Sequence, residues 1–196
     1  MNYGITDLTT FILGTIFIVL LPGPNSLYVM SVASRLGVGA GYRGACGIFL
    51  GDTVLMVLSA TGIASLLQAT PALFLAIKYA GAAYLAWVGI GLLRSALATW
   101  RGKPVDAASQ PPADAARPFH TALVISLMNP KAILFFVSFF IQFVDPGYAH
   151  PALSFAILGA IVQVCSALYL SVLIFGGARL ALQFRRRRRF SAGATG

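Results

Sequence analysis

Two ionisable side chains sit in sequence that is otherwise too apolar to carry them. Asp52 lies in "GIFLGDTVLMVL" and Lys131 in "LMNPKAILFFVSFF". A charge at the centre of a bilayer costs at least about 2.5–3.5 kcal/mol on insertion scales. Such a residue therefore faces a bundle interior or a wet cavity and usually pairs. An aspartate there can take up and release a proton, or hold an ammonium group. A lysine there can balance the aspartate or meet a carboxylate. The two are expected to lie near each other, either as working groups of a site or as a purely structural ion pair.

Two interruptions of apolar sequence belong beside them. Pro22, Gly23, Pro24 and Asn25 break "FIVLLPGPNSLYVM", and Asn129 and Pro130 break the run that contains Lys131. Proline inside a helix removes a donor and clashes with the preceding turn, at about 3 kcal/mol. Unwinding a helix also frees N–H and C=O groups that cannot face lipid, so they must face protein or a water-filled cavity. Half-helix ends then offer N–H donors to a carboxylate and carbonyls to an ammonium. An amino-acid zwitterion carries both groups. For one break alone, a plain proline kink is the simpler alternative.

The elements that must position these residues follow from composition. Of 196 residues, 58% are hydrophobic and only 10% are charged, with no Glu at all. A soluble domain carries about 25% charge, and apolar runs near the length of about 20 residues that crosses a bilayer recur along the chain. The expected fold is an all-α, polytopic membrane helix bundle. The net charge of +9 does not indicate nucleic acid, because five of the 14 basic residues form the run Arg185 to Arg189 beside an apolar segment. Most of the others lie in short connections, which is a topology signal. Cys46 and Cys165 lack metal-type spacing and read as buried packing residues. No catalytic residues, metal or cofactor are expected. His120 and His150 lie at span ends, and one acidic residue at membrane depth leaves a two-aspartate protease site incomplete. No cleaved signal peptide is expected, since no basic residue precedes the first apolar run.

Five spans are read, at Thr9 to Ser31, Gly44 to Leu67, Leu75 to Ala98, Thr121 to Val144 and Leu153 to Gly177. Basic residues follow the first, third and fifth. That places the N-terminus in the periplasm and the C-terminal basic segment in the cytoplasm. Residues 1–98 form a first transmembrane repeat of three spans. Residues 99–120 form a cytoplasmic linker rich in Pro and Ala. Residues 121–196 form a second repeat of two spans plus the basic segment. Setting Pro24 over Pro130 aligns "LLPGPNSLYV" with "SLMNPKAILF". Three spans separate the breaks, an odd number, so the halves point opposite ways through the membrane. Matched breaks in inverted repeats point to a transporter's central site. Gly44, Gly47 and Gly51, and likewise Gly81, Gly89 and Gly91, have the spacing of close helix contacts. Gln142 and Gln163 are expected to hydrogen-bond between helices, with a place on the cavity wall as the alternative for either.

Together "LPGPNSLYVM", "GIFLGD" and "LMNPKAILFFVSFFIQF" resemble the LysE/RhtB superfamily of amino-acid exporters, from about Tyr3 to Arg189. Within it, "ACGIFLGDTVLM" and "NPKAILFFVSFFIQFVD" are most similar to the bacterial leucine efflux branch. The resemblance implies an inner-membrane exporter of leucine or similar neutral amino acids, working by proton antiport. It implies a bundle of two inverted three-helix repeats. It carries Pro22, Gly23, Pro24, Asn25, Gly51, Asp52, Asn129, Pro130 and Lys131 over as substrate-binding or gating positions. Transport direction and leucine preference come from the resemblance alone. Superfamily members have a sixth span after the basic loop, of which "FSAGATG" resembles the start. A chain of five spans would imply a homo-oligomer neighbour or an inactive truncated exporter. Arg185 to Arg189 are expected to meet anionic lipid headgroups. A passive channel or a structural membrane subunit is the alternative function.

Overall fold

A chain this apolar has to satisfy its backbone groups internally, and helices do so within one segment. The computed structural model describes residues 3–69, 117–145 and 147–193, with the isolated helical positions 79, 83, 90 and 94. Side chains of residues 63–69 and 183–193 fall outside that description. The helices are α1 (Leu8–Leu20), α2 (Pro24–Leu36), α3 (Val38–Ala69), α4 (Pro118–Leu127), α5 (Pro130–Leu134) and α6 (Pro151–Gly193). After α5 the chain widens into a π-helical turn, Phe135–Phe139, and then tightens into a 3-10 turn, Phe140–Phe143.

Val38–Gly62 of α3 and Pro151–Leu182 of α6 are each long and apolar enough to cross a membrane. So are two bent pairs, α1 with α2 at 52°, and α4 with Pro130–Phe143 at 50°. Four of the five expected spans are therefore present. Apart from the isolated positions 79, 83, 90 and 94, the third, at Leu75 to Ala98, lies outside the described residues, as do most of the linker and Gly81, Gly89 and Gly91. Large apolar side chains cover the outside of the bundle, with Leu13, Phe17, Val57, Leu168 and Val172 all more than half exposed. That surface suits lipid. The architecture is a polytopic membrane helix bundle.

Some boundaries differ from expectation. The second span begins at Val38 because Gly37, at φ +89°, turns the chain straight from α2 into α3. The backbone of Arg185 to Arg189 continues α6, which runs past Gly177 to Gly193. At the other end Asp7 caps α1, accepting from the Thr10 hydroxyl and from Thr10 N at 2.9 Å. Those bonds, the hydroxyl's first, hold the exposed Asp7 carboxyl below the usual carboxylate range.

The start of the first span lies beside the end of the fourth. Thr6 N donates to Phe143 O at 3.0 Å and Asp145 N to Gly4 O at 2.8 Å. The Tyr28 hydroxyl meanwhile donates to Pro118 O, at the start of α4. The first and fourth spans thus run in opposite directions. Two apolar clusters divide the interior. One gathers Phe11 and Ile18 with the apolar residues between Phe135 and Val144. The other gathers Tyr28, Val32, Ile48, Leu170 and Ile174. The aromatic residues after α5 ring Phe11, whose centroid lies 6.0 Å from Phe139, 6.0 Å from Phe140 and 5.2 Å from Phe143.

The glycine flank of α3 is a packing surface, as its spacing suggests. A Cβ on Gly47 would run into the Phe119 carbonyl, and one on Gly51 would stand 2.7 Å from Ser126 Cβ. The two glutamines part ways. Gln163 Nε2 joins α6 to α3, donating to Phe49 O at 3.0 Å and Thr53 Oγ1 at 2.9 Å. Gln142 instead donates to Ser138 O within its own turn, because the irregular helix there brings that carbonyl under the amide. Cys46 is also a correction. It is exposed, and Cys165 is only half-buried. The interior face of α3 carries Ala45, Ile48 and Asp52, and Cys46 is turned off it.

Gln163→Leu tests the α6–α3 link. It removes two donated bonds, but it also removes Oε1, a buried acceptor with no partner. Thr53 Oγ1 keeps its own 2.7 Å bond to Phe49 O. The expected cost is about 0.6 kcal/mol, the average for such bonds between membrane helices. It should appear as a small fall in the detergent melting temperature.

Candidate functional site

At the first break α1 stops at Leu20 and the chain runs extended through Leu21 and Gly23. Pro24 then opens α2 from its first turn, where a missing N–H costs nothing. Ser26 Oγ secures the restart by accepting from Gly23 N and donating to Gly23 O, both at 2.9 Å. At the second break α4 stops at Leu127 and Pro130 opens α5. Asn129 caps that helix, its Oδ1 accepting from Lys131 N at 3.0 Å. Neither proline is a kink in a continuous helix. Each helix stops and restarts.

A broken helix leaves its last carbonyls without intrahelical partners. Side chains from the other half of the chain take them here. Lys131 Nζ donates to Leu21 O, and the Tyr169 hydroxyl approaches Leu20 O at 3.5 Å. The stem of Lys131 passes over Gly23, with its Cδ 3.4 Å from where a Cβ would stand. The second break therefore reaches across to the first through one lysine.

Both breaks border a cavity of about 70 Å³ between the two apolar clusters. Gly23, Asn25, Asp52, Asn129, Lys131 and Tyr169 supply its polar wall. Asp52 is 6% exposed and accepts a 2.7 Å hydrogen bond from Ser126 Oγ. Asn25 Nδ2 donates in turn to Ser126 Oγ at 3.3 Å. Asp52 and Lys131 line the same space. They form no direct ion pair, since each has its own partner in Ser126 and Leu21 O. The structural pair weighed from sequence is not the arrangement found.

Of the nine positions singled out from sequence, Gly23, Asn25, Asp52, Asn129 and Lys131 border the cavity. Pro22, Pro24 and Pro130 are exposed and shape the backbone, while Gly51 packs against Ser126. Sequence reasoning missed Ser126 and Tyr169. A serine in an apolar helix has no distinguishing spacing. Only the close approach at Gly51 reveals what Ser126 touches. Among the described residues, no group of three or more His, Cys, Asp or Glu could hold a metal ion.

Broken spans of opposite direction, meeting on a buried charged cavity inside a membrane bundle, define a transport protein of the broken-helix kind. The chain belongs to the LysE type translocator family, whose family model matches residues 16–196. It is 59% identical over 192 residues to an uncharacterized membrane protein of Pseudomonas aeruginosa, covering 98% of this chain and 89% of that one. It is 45% identical over 177 residues to a leucine efflux protein of Salmonella choleraesuis, covering 90% of this chain and 82% of that one. A leucine efflux protein of Klebsiella pneumoniae is 40% identical over 190 residues, covering 97% of this chain and 88% of its own length. No solved structure matches the chain.

Proposed function

We propose that this protein exports leucine or similar neutral amino acids across the bacterial inner membrane in exchange for protons. The observation that carries the reading is the cavity on which both breaks, the buried Asp52 and the half-buried Lys131 converge. The substrate ammonium would be held by Asp52 and by break carbonyls such as Leu21 O. The carboxylate would meet Lys131. Binding would draw Lys131 from Leu21 O, so the lysine that ties the breaks together is also the group the substrate displaces. The cavity is small beside ligand pockets of about 300 Å³ and above. Admission of an amino acid would require the breaks to part, first toward one side of the membrane and then toward the other. Residues 1–98 and 121–196 would be the two moving repeats, joined by a cytoplasmic linker. The N-terminus would lie in the periplasm and Arg185 to Arg189 at anionic headgroups of the cytoplasmic leaflet.

Everted membrane vesicles test this directly. Respiration acidifies their lumen, and a proton-coupled exporter then concentrates labelled leucine inside. Accumulation should collapse on adding an uncoupler. Equilibration without accumulation would instead mark a passive channel, and no uptake above vector control would defeat the transport reading for leucine.

A further inference from the structure

A hydrogen-bond chain across three helices joins two residues of the cavity wall, Asn25 and Asp52, through Ser126 behind it. Asn25 of α2 donates to Ser126 of α4, and Ser126 donates to Asp52 of α3. Ser126 is fully buried and Asp52 is 6% exposed. At the far end, Asn25 Oδ1 is a buried acceptor with no partner. An unmatched buried acceptor costs free energy, and here it sits on an amide whose other atom is already committed to Ser126. The chain is satisfied in one direction only, from Asn25 toward an ionised Asp52.

We infer that Ser126 is a positioning residue that carries the protonation state of Asp52 to the break in the first span. With Asp52 ionised, the Ser126 hydroxyl is held by a charge-assisted bond, roughly twice as strong as a neutral one. A proton arriving on Asp52 from water removes that advantage. The Ser126 hydroxyl then turns to donate to Asn25 Oδ1, and the Asn25 amide turns to receive it. No covalent bond other than the new carboxyl O–H is made. Asn25 lies in the first turn of α2, one residue beyond Pro24, so its reorientation acts at the point where that helix restarts. The other titratable groups bordering the cavity are Lys131 from α5 and Tyr169 from α6. Among the described residues lining it, α1 and α2 bring none.

The inference rests on the proton-exchange reading above, and the experiment separates the two. Protein in liposomes is assayed for leucine accumulation driven by a pH gradient and for leucine–leucine exchange without one. The expected result for Ser126→Ala is a fall of about tenfold in the ratio of driven accumulation to exchange. Its pH profile should move alkaline by about one unit, because ionised Asp52 has lost a donor. Ser126→Thr, which keeps the hydroxyl, should restore both. A Ser126→Ala ratio and profile that overlay wild type would overturn the inference, as would a Ser126→Thr variant that behaves like Ser126→Ala. Wild-type protein that never concentrates leucine would defeat the transport reading instead. The network is then read by infrared titration of the protonated carboxyl band that Asp52→Asn removes. Ser126→Ala or Asn25→Ala should shift its midpoint by about one pH unit, and an unmoved midpoint in both sinks the proposal.

Discussion

Asp52→Asn is expected to abolish proton-driven accumulation of leucine while leaving the protein folded in the membrane. Asparagine has nearly the shape of aspartate and can still accept the bond that Ser126 Oγ makes at 2.7 Å. The close α3–α4 contact at Gly51 is untouched, so packing gives no reason for collapse. What disappears is a group that can be ionised in one step of the cycle and neutral in another. Lys131 and Tyr169 remain on the cavity wall, but each already bonds a carbonyl of the first break, so the carboxyl proposed to carry the proton is gone. Uphill accumulation in everted vesicles should fall to the level seen with an uncoupler. Leucine–leucine exchange should fall less, since it moves no net proton. Undiminished uphill accumulation by a well-inserted Asp52→Asn protein would show that the proton travels elsewhere.

How far this site was legible in the sequence depends on which physical rule each residue obeys. Asp52 and Lys131 stand out because a bilayer penalises charge, whatever the fold. Pro24 and Pro130 stand out because proline cannot continue a helix, and their offset implies matched breaks. Both are constraints of solvent and backbone, and both appear in one dimension. Partner choice is not of that kind. From sequence alone Asp52 and Lys131 look like a pair, yet Asp52 is held by Ser126 and Lys131 by Leu21 O. Those partners are set by how closely α3 meets α4 at Gly51, and by which carbonyls the first break exposes. The end of the fourth span shows the same limit. "FFVSFF" reads as ordinary apolar helix, yet it widens after α5 and then tightens. There it sets Phe139, Phe140 and Phe143 around Phe11, while Gly14 leaves room on α1 for the Phe139 ring. Cys46 was misplaced for a related reason. Its residue type favours burial, but its position on α3 falls off the face that Ala45, Ile48 and Asp52 turn inward.

Lys131→Met should be the most damaging single change at the site, and its interaction with Asp52→Asn shows why. Methionine keeps most of the length and apolar stem of lysine but removes the donor and the charge. Leu21 O loses the bond from Nζ, and since this break is only part-buried the cost should lie toward the lower end of the about 1–3 kcal/mol for an unsatisfied buried carbonyl. The Asp52 carboxylate also loses the cation that shares its cavity. Leaving a buried charge uncompensated costs about 3–5 kcal/mol when the pair is direct. Here the two groups are not in contact, so the cost should fall below that range. Transport should be lost and the detergent melting temperature should drop sharply. The carbonyl loss and the charge loss separate in a double-mutant cycle. Adding Asp52→Asn to Lys131→Met removes the unbalanced carboxylate but cannot supply a donor to Leu21 O. The double variant should therefore recover part of the lost stability, with a coupling of about 0.5–3 kcal/mol. If the two single effects merely add, Lys131 acts through the Leu21 carbonyl alone, and the charge coupling across the cavity is wrong.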